Sequence, residues 1–382
     1  MAPQQPISII GAGIGGLTLG RCLLKRNIPT ILYERMPSSP RHGYAITLHQ
    51  STYQPLLAAL DMDEWTFKRR VAVDGAIGCS GIINSKSLIQ QGISDSSQSS
   101  SFRAHREKLE RLLREGLDVQ WEHALEKVEP NNNQVVLYFQ NGQNLTSDCV
   151  IGIDGPHSNT RKSLIPATEF TILPFVAFNG KRRLTRALFD RLYAPAMKDS
   201  TVIELKLRDV VLNISINENT ADHVSVSWIY SRPSRGSNDP LHKPNRPVSG
   251  ATDIPTEFYD EISKLVNLEQ PFKEIFDSEK LKLERVLHWL MRTVLVSLPE
   301  LQELGKKGVF FMGDSVHAEP IIGGHGANAA IRDGVGLAKC ISEEGSAGIL
   351  KWYEKQYGVW KQGVESSERN ISEIHSEPTS VL

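Results

Sequence analysis

Residues 7–16 read Ile7-Ser8-Ile9-Ile10-Gly11-Ala12-Gly13-Ile14-Gly15-Gly16. The short, β-branched, apolar run Ile7–Ile10 predicts a strand, and Gly11, Gly13 and Gly16 follow it in GxGxxG spacing. In that spacing the first glycine permits a tight turn, the second lets a pyrophosphate approach the backbone, and the third lets the next helix pack closely on the sheet. The helix start then offers free N–H groups and a positive dipole end to phosphate. Helical character from Leu17 to Arg26 and a strand-like Thr30-Ile31-Leu32-Tyr33 complete a βαβ unit. Glu34 closes it, 18 residues after Gly16, where an acid accepts hydrogen bonds from the ribose of an adenine nucleotide. The unit predicts a bound dinucleotide.

The chain around it has 382 residues, 40% of them hydrophobic, with 43 basic and 44 acidic side chains. That length allows two domains and excludes a small disulfide-stapled module. A formal charge of −1 argues against nucleic acid or anionic membrane, since both are bound through a basic excess. Small molecules are the expected partners, in a monomer or weak homodimer. Cys22, Cys79, Cys149 and Cys340 lie far apart without CxxC or zinc spacing, so reduced thiols and no metal are expected. The N-terminus lacks a basic region ahead of its apolar run, and no run of 18 apolar residues occurs. A soluble, cytoplasmic protein is expected.

Further along, the Ser-rich stretch 90–101 predicts a solvated loop and Arg103–Glu115 an amphipathic helix. Asn141-Gly142 after the alternating Val135–Gln140 predicts a hairpin. Long alternating segments, Phe170–Asn179, Thr201–Asn217 and His223–Tyr230, predict a separate, mainly antiparallel sheet. Ser231–Pro255 reads as loop, Pro255–Val266 as helix, Arg285–Val296 as extended, and Gly308–Met312 as a buried strand. Ala327–Ile341 and Gly348–Glu365 read as closing helices before a polar tail.

Two further segments narrow the choice of dinucleotide. Asp154-Gly155 follows a strand and precedes Ser158 and Arg161; Gly313-Asp314 follows another strand and precedes Pro320, a glycine cluster, Asn328 and Asp333. With the GxGxxG turn, these resemble the DG and GD motifs of the single-component FAD-dependent aromatic-ring monooxygenases, the group of para-hydroxybenzoate hydroxylase, salicylate hydroxylase and the tetracycline-modifying monooxygenases. The resemblance runs from Ile7 to about Ala338.

The resemblance implies an α/β fold, a Rossmann-like FAD-binding domain interleaved with a mainly antiparallel β-sheet substrate domain and closed by C-terminal helices. The FAD-binding domain is expected over residues 1–72, 102–168 and 285–345, the substrate domain over 73–101 and 169–284, and the C-terminal helix and tail over 346–382. It also implies cofactor contacts from Gly11, Gly13, Gly16, Glu34, Arg35, Arg106, Asp154, Asp314, Gly324, Gly326 and Asn328, Asp154 serving both FAD and NAD(P)H. With no second GxGxxG, NADPH or NADH would be a transient reductant. The implied reaction is hydroxylation of an aromatic or heteroaromatic small molecule by O₂ through a flavin C4a-hydroperoxide. The same chemistry would serve epoxidation or Baeyer–Villiger-type oxidation of a terpenoid or polyketide. A flavin-free dehydrogenase and an FAD-binding protein without turnover are the alternatives outside it.

This chain departs from the family's glycine loop: one extra residue separates Pro320 from Gly324, and His325 stands where Gln is common. No side chain stands out as a catalytic nucleophile. Asn179, Lys181, Asn213, Ser227 and Trp228 on the second sheet, with His325, are the candidates to face substrate, although alternation does not tell which face is inward. Lys181-Arg182-Arg183 reads as a solvated face or a landing site for an acidic substrate or the NADPH phosphate. His317 and His325 fit no compact metal spacing, and Asp333 reads equally as surface or site.

Overall fold

The computed structural model describes residues 5–39, 43–84, 101–131 and 134–376. The Ser-rich stretch 90–101 lies outside these residues except for Ser101. Strands are numbered in chain order. β1 (Ile7–Ile10), β2 (Thr30–Tyr33), β5 (Val119–Gln120), β9 (Val150–Gly152) and β15 (Val309–Phe311) form a parallel sheet in the order β15-β9-β1-β2-β5. Its central strands are buried along their whole length, as expected where both faces are covered. The helix Ile14–Leu24 leaves β1 through the glycine turn, and the helix Gly326–Glu344 packs across it.

β3 (Ala45–Leu48) and β4 (Phe102–His105) make an antiparallel ribbon in which Ala45 faces His105 and Leu48 faces Phe102. Leu48, Phe102 and Ala104 belong to the core around the parallel sheet, while Ala45 belongs to a second core. The ribbon is therefore the seam between the two halves. β6 (Leu125–Asn131), β7 (Gln134–Phe139) and β8 (Asn144–Ser147) form a small antiparallel sheet, with the expected turn at Asn141-Gly142.

The second half is built on β10 (Thr171–Thr185), β11 (Val202–Leu207), β12 (Val210–Asn219), β13 (His223–Pro233), β14 (Val286–Leu295) and the short β16 (His317–Ala318). They lie in the order β11-β12-β13-β10-β14-β16, every pairing antiparallel. Residues 286–295 were expected within the FAD-binding segment, but β14 is hydrogen-bonded to β10, with Val286, His288 and Leu290 opposite Gly180, Phe178 and Val176. β14 alternates as a sheet strand, burying Val286, His288 and Leu290 on one face.

The even-numbered residues of β10, β12 and β13 share one face: Phe178, Leu212, Ile214, Trp228 and Tyr230 are fully buried beneath the helices Thr256–Ser263 and Phe272–Ile275. The odd-numbered residues face the ribbon and are largely polar. The C-terminal helix runs from Gly348 to Ser376, well past the expected Glu365. Val364, Ser367, Ile371 and His375 recur at helical spacing in that polar stretch and are buried, Ile371 against Phe175 and Met291 of the sheet. No helix among the described residues is long and apolar enough to cross a membrane.

Candidate functional site

The glycine turn has the close contacts its sequence requires. Gly11 sits at φ +108, and a Cβ there would lie 2.5 Å from the Ile153 carbonyl oxygen, so the end of β9 touches the turn directly. A Cβ on Gly16 would lie 2.0 Å from the Gly11 carbonyl oxygen. Gly13, the residue before the helix, has open space where its Cβ would be and no side chain capping the helix start. Its first-turn N–H groups are thus available to an anion. Glu34 is buried at the end of β2, where Oε2 accepts from the Ala12 N–H at 2.9 Å and Oε1 from the Met36 N–H at 3.0 Å. It fastens the turn to the second strand, and Arg35 beside it is exposed.

Asp154 spends its carboxylate locally: Oδ1 accepts from Ser158 Oγ at 2.5 Å, and Oδ2 from the Thr160 N–H at 3.0 Å and its Oγ1 at 3.1 Å. The loop over Gly11 is fixed by these bonds. Beside it lies a cationic cluster. The Phe170 ring sits 5.3 Å from the Arg161 guanidinium and 5.1 Å from that of Arg292, and Arg292 Nη1 is 3.1 Å from His157 Nε2. Burial, then the charges of Arg292, Lys162 and Arg35, push the His157 imidazole down to about 4. That ring is neutral at pH 7.

Asp314 is different. It lies in the Gly313–Ser315 turn, and none of the hydrogen bonds among the described residues ends on its carboxylate. One carboxylate oxygen is 3.3 Å from where a Cβ on Gly326 would be, which explains glycine at the start of that helix. Burial pushes the Asp314 carboxyl above its usual range, opposed by His317 and Arg106. Arg106 donates to Glu110 Oε1 at 2.8 Å and to the Tyr44 hydroxyl, and its guanidinium lies 5.2 Å from the Tyr44 ring centre. Behind the turn, Asp333 accepts from the Gly313 N–H at 3.1 Å and Trp360 Nε1 at 2.9 Å, and pairs with His317 at 2.5 Å. Asp333 is therefore a buried anchor of the turn, not a surface carboxylate.

Asn328 links the glycine loop to the ribbon: Nδ2 donates to the Thr47 carbonyl at 2.9 Å and the Gly324 carbonyl at 3.3 Å, and Oδ1 accepts from the His49 N–H at 3.0 Å. Gly323 and Gly324 take φ +118 and +70, so this loop presents bare backbone beside β3. The His325 ring lies 6.2 Å from that of His49, its Nε2 buried without a hydrogen bond among the described residues. Burial lowers its affinity for a proton.

Across the ribbon, the odd-numbered face carries Asn179, Lys181, Asn213, Ser215 and Ser227 together. Asn179 Nδ2 donates to the Trp228 carbonyl at 2.9 Å, and Lys181 Nζ donates to the Gly43 carbonyl. Trp228 is not among them. Its side chain points to the helix-covered face, 6.3 Å from the Phe258 ring and 5.7 Å from that of Phe276, because it pairs with Gly180 and Ile214. Arg182 likewise is no solvated charge: it is buried against Glu274 at 3.0 Å and Glu284. Sequence reasoning missed Glu204 and Lys206, which alternate with Ile203, Leu205 and Leu207 along β11, and Arg103 of β4. Arg103 donates to the Ala45 carbonyl at 2.9 Å and Ser215 Oγ at 3.3 Å, and burial pulls its guanidinium down to about 10.

These features fit FAD. An uncapped helix start suits its diphosphate; Asp314, an unused acceptor, suits a sugar or ribityl hydroxyl; the bare Gly323-Gly324 backbone suits close approach of a flat ring. The model of a family described as FAD binding domain matches residues 4–362. An FAD-dependent monooxygenase, nscC of Neosartorya fischeri, is 34% identical over 98% of this chain and 96% of its own length. Among solved structures, Klebsiella pneumoniae HpxO complexed with FAD and uric acid aligns at TM-score 0.68 and 16% identity, covering 97% of this chain and 89% of that one. The 2,6-dihydroxypyridine-3-hydroxylase of Arthrobacter nicotinovorans aligns at 0.69 and 16%, covering 98% and 92%.

Proposed function

We propose, from the premise that this chain belongs to the FAD binding domain family and is an FAD-dependent monooxygenase, that it hydroxylates an electron-rich aromatic or heteroaromatic small molecule at the expense of NADPH or NADH. The observation that carries this reading is the juxtaposition of the Gly323–Gly326 loop and Asp314 on one side of the β3–β4 ribbon with the polar face of the second sheet on the other. Bound FAD would supply the activated oxygen.

The chain's own residues divide the remaining work. The Gly11–Gly16 turn and its helix start hold the diphosphate, Glu34 and Arg35 the adenosine end, and Arg106 and Asp314 the ribityl region. Asn328 keeps the ribbon at a fixed distance from the glycine loop, and the ribbon and the C-terminal helix exclude water from the space over the sheet. The cluster of Arg161, Arg292, His157 and Phe170 beside the Asp154 loop suits the phosphates and flat rings of the reductant. HpxO is described with uric acid and the Arthrobacter enzyme acts on 2,6-dihydroxypyridine, both heteroaromatics with acidic protons. The polar Asn179 and Asn213 on the floor of this face favour such a substrate over the apolar polyene of an epoxidase.

The test is stimulated turnover. The purified FAD-loaded protein is mixed with NADPH or NADH and a panel of phenols and hydroxylated heteroaromatics, with reductant oxidation, O₂ uptake and product mass measured together. Stimulated oxidation with one oxygen atom gained by the ring supports the reading. Oxidation unaffected by every member of the panel, or products bearing an epoxide or inserted ester oxygen, overturns it.

A further inference from the structure

We propose that Glu204 is the residue that accepts the proton of an ionisable ring hydroxyl on the substrate, with Asn213 holding its carboxyl and Lys206 facing the oxygen that is left negative. This rests on the hydroxylation reading above, which leaves the base unnamed.

The placement comes from strand register. Glu204 of β11 lies opposite Asn213 of β12, which lies opposite Ile229 of β13, then Asn179 of β10 and Leu287 of β14. This row crosses the odd-numbered face over four strand spacings, roughly 19 Å. On one side the next row, Ser215, Ser227 and Lys181, is bridged to the ribbon by the Arg103–Ser215 and Lys181–Gly43 bonds. On the other side the row Ser231 and Ala177 is covered by the C-terminal helix, where His375 Nε2 meets Ser231 Oγ at 3.0 Å and Ile371 packs near Ala177. Between those covers the row from Glu204 to Leu287 is left half-exposed, apart from the buried Asn213. It is the floor of a slot.

Glu204 also differs chemically from the other shielded carboxylates of this half. Asp239, Glu261 and Glu274 are each bonded to an arginine, whereas Glu204 has no ion pair among the described residues and faces the amide of Asn213 across the strand pair. Lys206 stands two residues on, on the same face. Among the described residues its buried ammonium nitrogen has no hydrogen-bond partner and makes no ion pair with Glu204. Two opposite groups on one strand face, neither satisfied by the other, are complementary to a third group carrying both a proton to give and a negative charge to leave. A ring hydroxyl is such a group.

The step is a proton transfer. The substrate O–H bond breaks, the proton forms an O–H bond to a Glu204 carboxylate oxygen, and the electron pair stays on the substrate oxygen. Conjugation from that oxygen enriches the neighbouring ring carbons, which is what an electrophilic oxygen donor requires. Burial pushes the Glu204 carboxyl up to about 8, opposed by Asn213 and Lys206, close to the range in which phenols and a general base exchange protons near neutral pH. The other charged groups on this face are committed elsewhere: Lys181 to Gly43, Arg103 to Ala45 and Ser215, and His375 to Ser231 and Ile371. Asp209, at the β11–β12 turn, faces Arg235.

The test compares the FAD-loaded wild-type protein with Glu204→Gln, which matches the neutral carboxyl in shape. Two probes are used, 4-nitrophenol, the more acidic, and 2-naphthol. Three results are expected. First, the melting temperature of Glu204→Gln exceeds that of the wild type at pH 9 but matches it at pH 5: a raised carboxyl pKa costs stability as pH rises from the ordinary glutamate value through 8. Second, the naphtholate absorbance of bound 2-naphthol at pH 8 falls several-fold in the variant, while that of bound 4-nitrophenol, ionised unaided, does not. Third, probe hydroxylation slows by about 10²-fold for 2-naphthol and far less for 4-nitrophenol, which ionises unaided. Equal naphtholate absorbance from bound 2-naphthol in both proteins, or failure of both probes to bind, overturns the assignment of Glu204 whether or not the protein turns over. Wild-type binding and ionisation without hydroxylation would instead count against the monooxygenase substrate class while leaving Glu204 as the proton acceptor.

Discussion

Behind the six-stranded sheet, buried carboxylates are saturated; in front of it and at the glycine loop, they are open. Arg232, fully buried, donates to Asp239 at 2.6 and 3.0 Å and to Glu261 at 2.8 and 2.9 Å, and Glu261 also accepts from the Tyr230 hydroxyl at 2.5 Å. Arg182, Lys280 and the Tyr193 hydroxyl converge on Glu274 in the same way. Asp314 and Glu204, by contrast, lack an ion-pair partner among the described residues. The rear carboxylates are satisfied within the fold, whereas Asp314 and Glu204 are half-exposed and keep acceptor capacity that a ligand or water can use.

Substitutions can break that contrast. The largest loss of stability is expected from Arg232→Met, which strips the buried Asp239 of its ion pair and leaves Glu261 with Arg235 and Tyr230 alone. Chemical denaturation should read a loss of about 3–5 kcal/mol, with FAD content unchanged in the folded fraction. A loss under about 1 kcal/mol would mean the rear network is not a structural anchor. Asp314→Ala should do the opposite. Thermal stability of the apoprotein should hold or rise, while FAD affinity drops by about 1.5–3 kcal/mol, read by titrating apoprotein with FAD. Full flavin content after purification would remove Asp314 from the cofactor site.

Gly180→Ala tests the register that turns Trp228 rearward, since the new Cβ would lie 2.2 Å from the indole ring. Destabilisation of about 1–3 kcal/mol is expected from overpacking. A neutral result would place the indole elsewhere. Asn179→Ala, on the open face, should have the smallest effect on stability, about 1 kcal/mol for its bond to the Trp228 carbonyl, and should act mainly by raising KM for the aromatic substrate. Unchanged steady-state kinetics would exclude Asn179 from the floor of the slot.

Much of the nucleotide end could be read directly because its requirements are local. A tight turn at Gly11, a close approach at Gly16 and an acid at the end of the next strand are each set by a few consecutive residues. The roles of Asp154 and Glu34 were less legible: both carboxylates also accept backbone N–H bonds that brace the turn, and such bonds have no signature in spacing. The C-terminal stretch from Ser366 looked like a polar tail because Ile371 and His375 are sparse apolar anchors, and their value appears only against Phe175 and Ser231.

In the second sheet, alternation sorts residues into two sets, but period two is the same whichever set faces inward. Asn213 and Trp228 were therefore candidates together, although Trp228 pairs with Ile214 and Asn213 with Ile229, on opposite faces. The sequence by itself determined the dinucleotide turn, the order of the three cofactor motifs and the existence of an antiparallel half, since these depend on bond geometry and short-range periodicity. Tertiary structure alone decided which residues share the polar face of the second sheet, and that Glu204 and Lys206 stand on it with no ion pair among the described residues. Those outcomes depend on cross-strand register and on which helices cover the rear, and both are set by contacts between residues far apart in the chain.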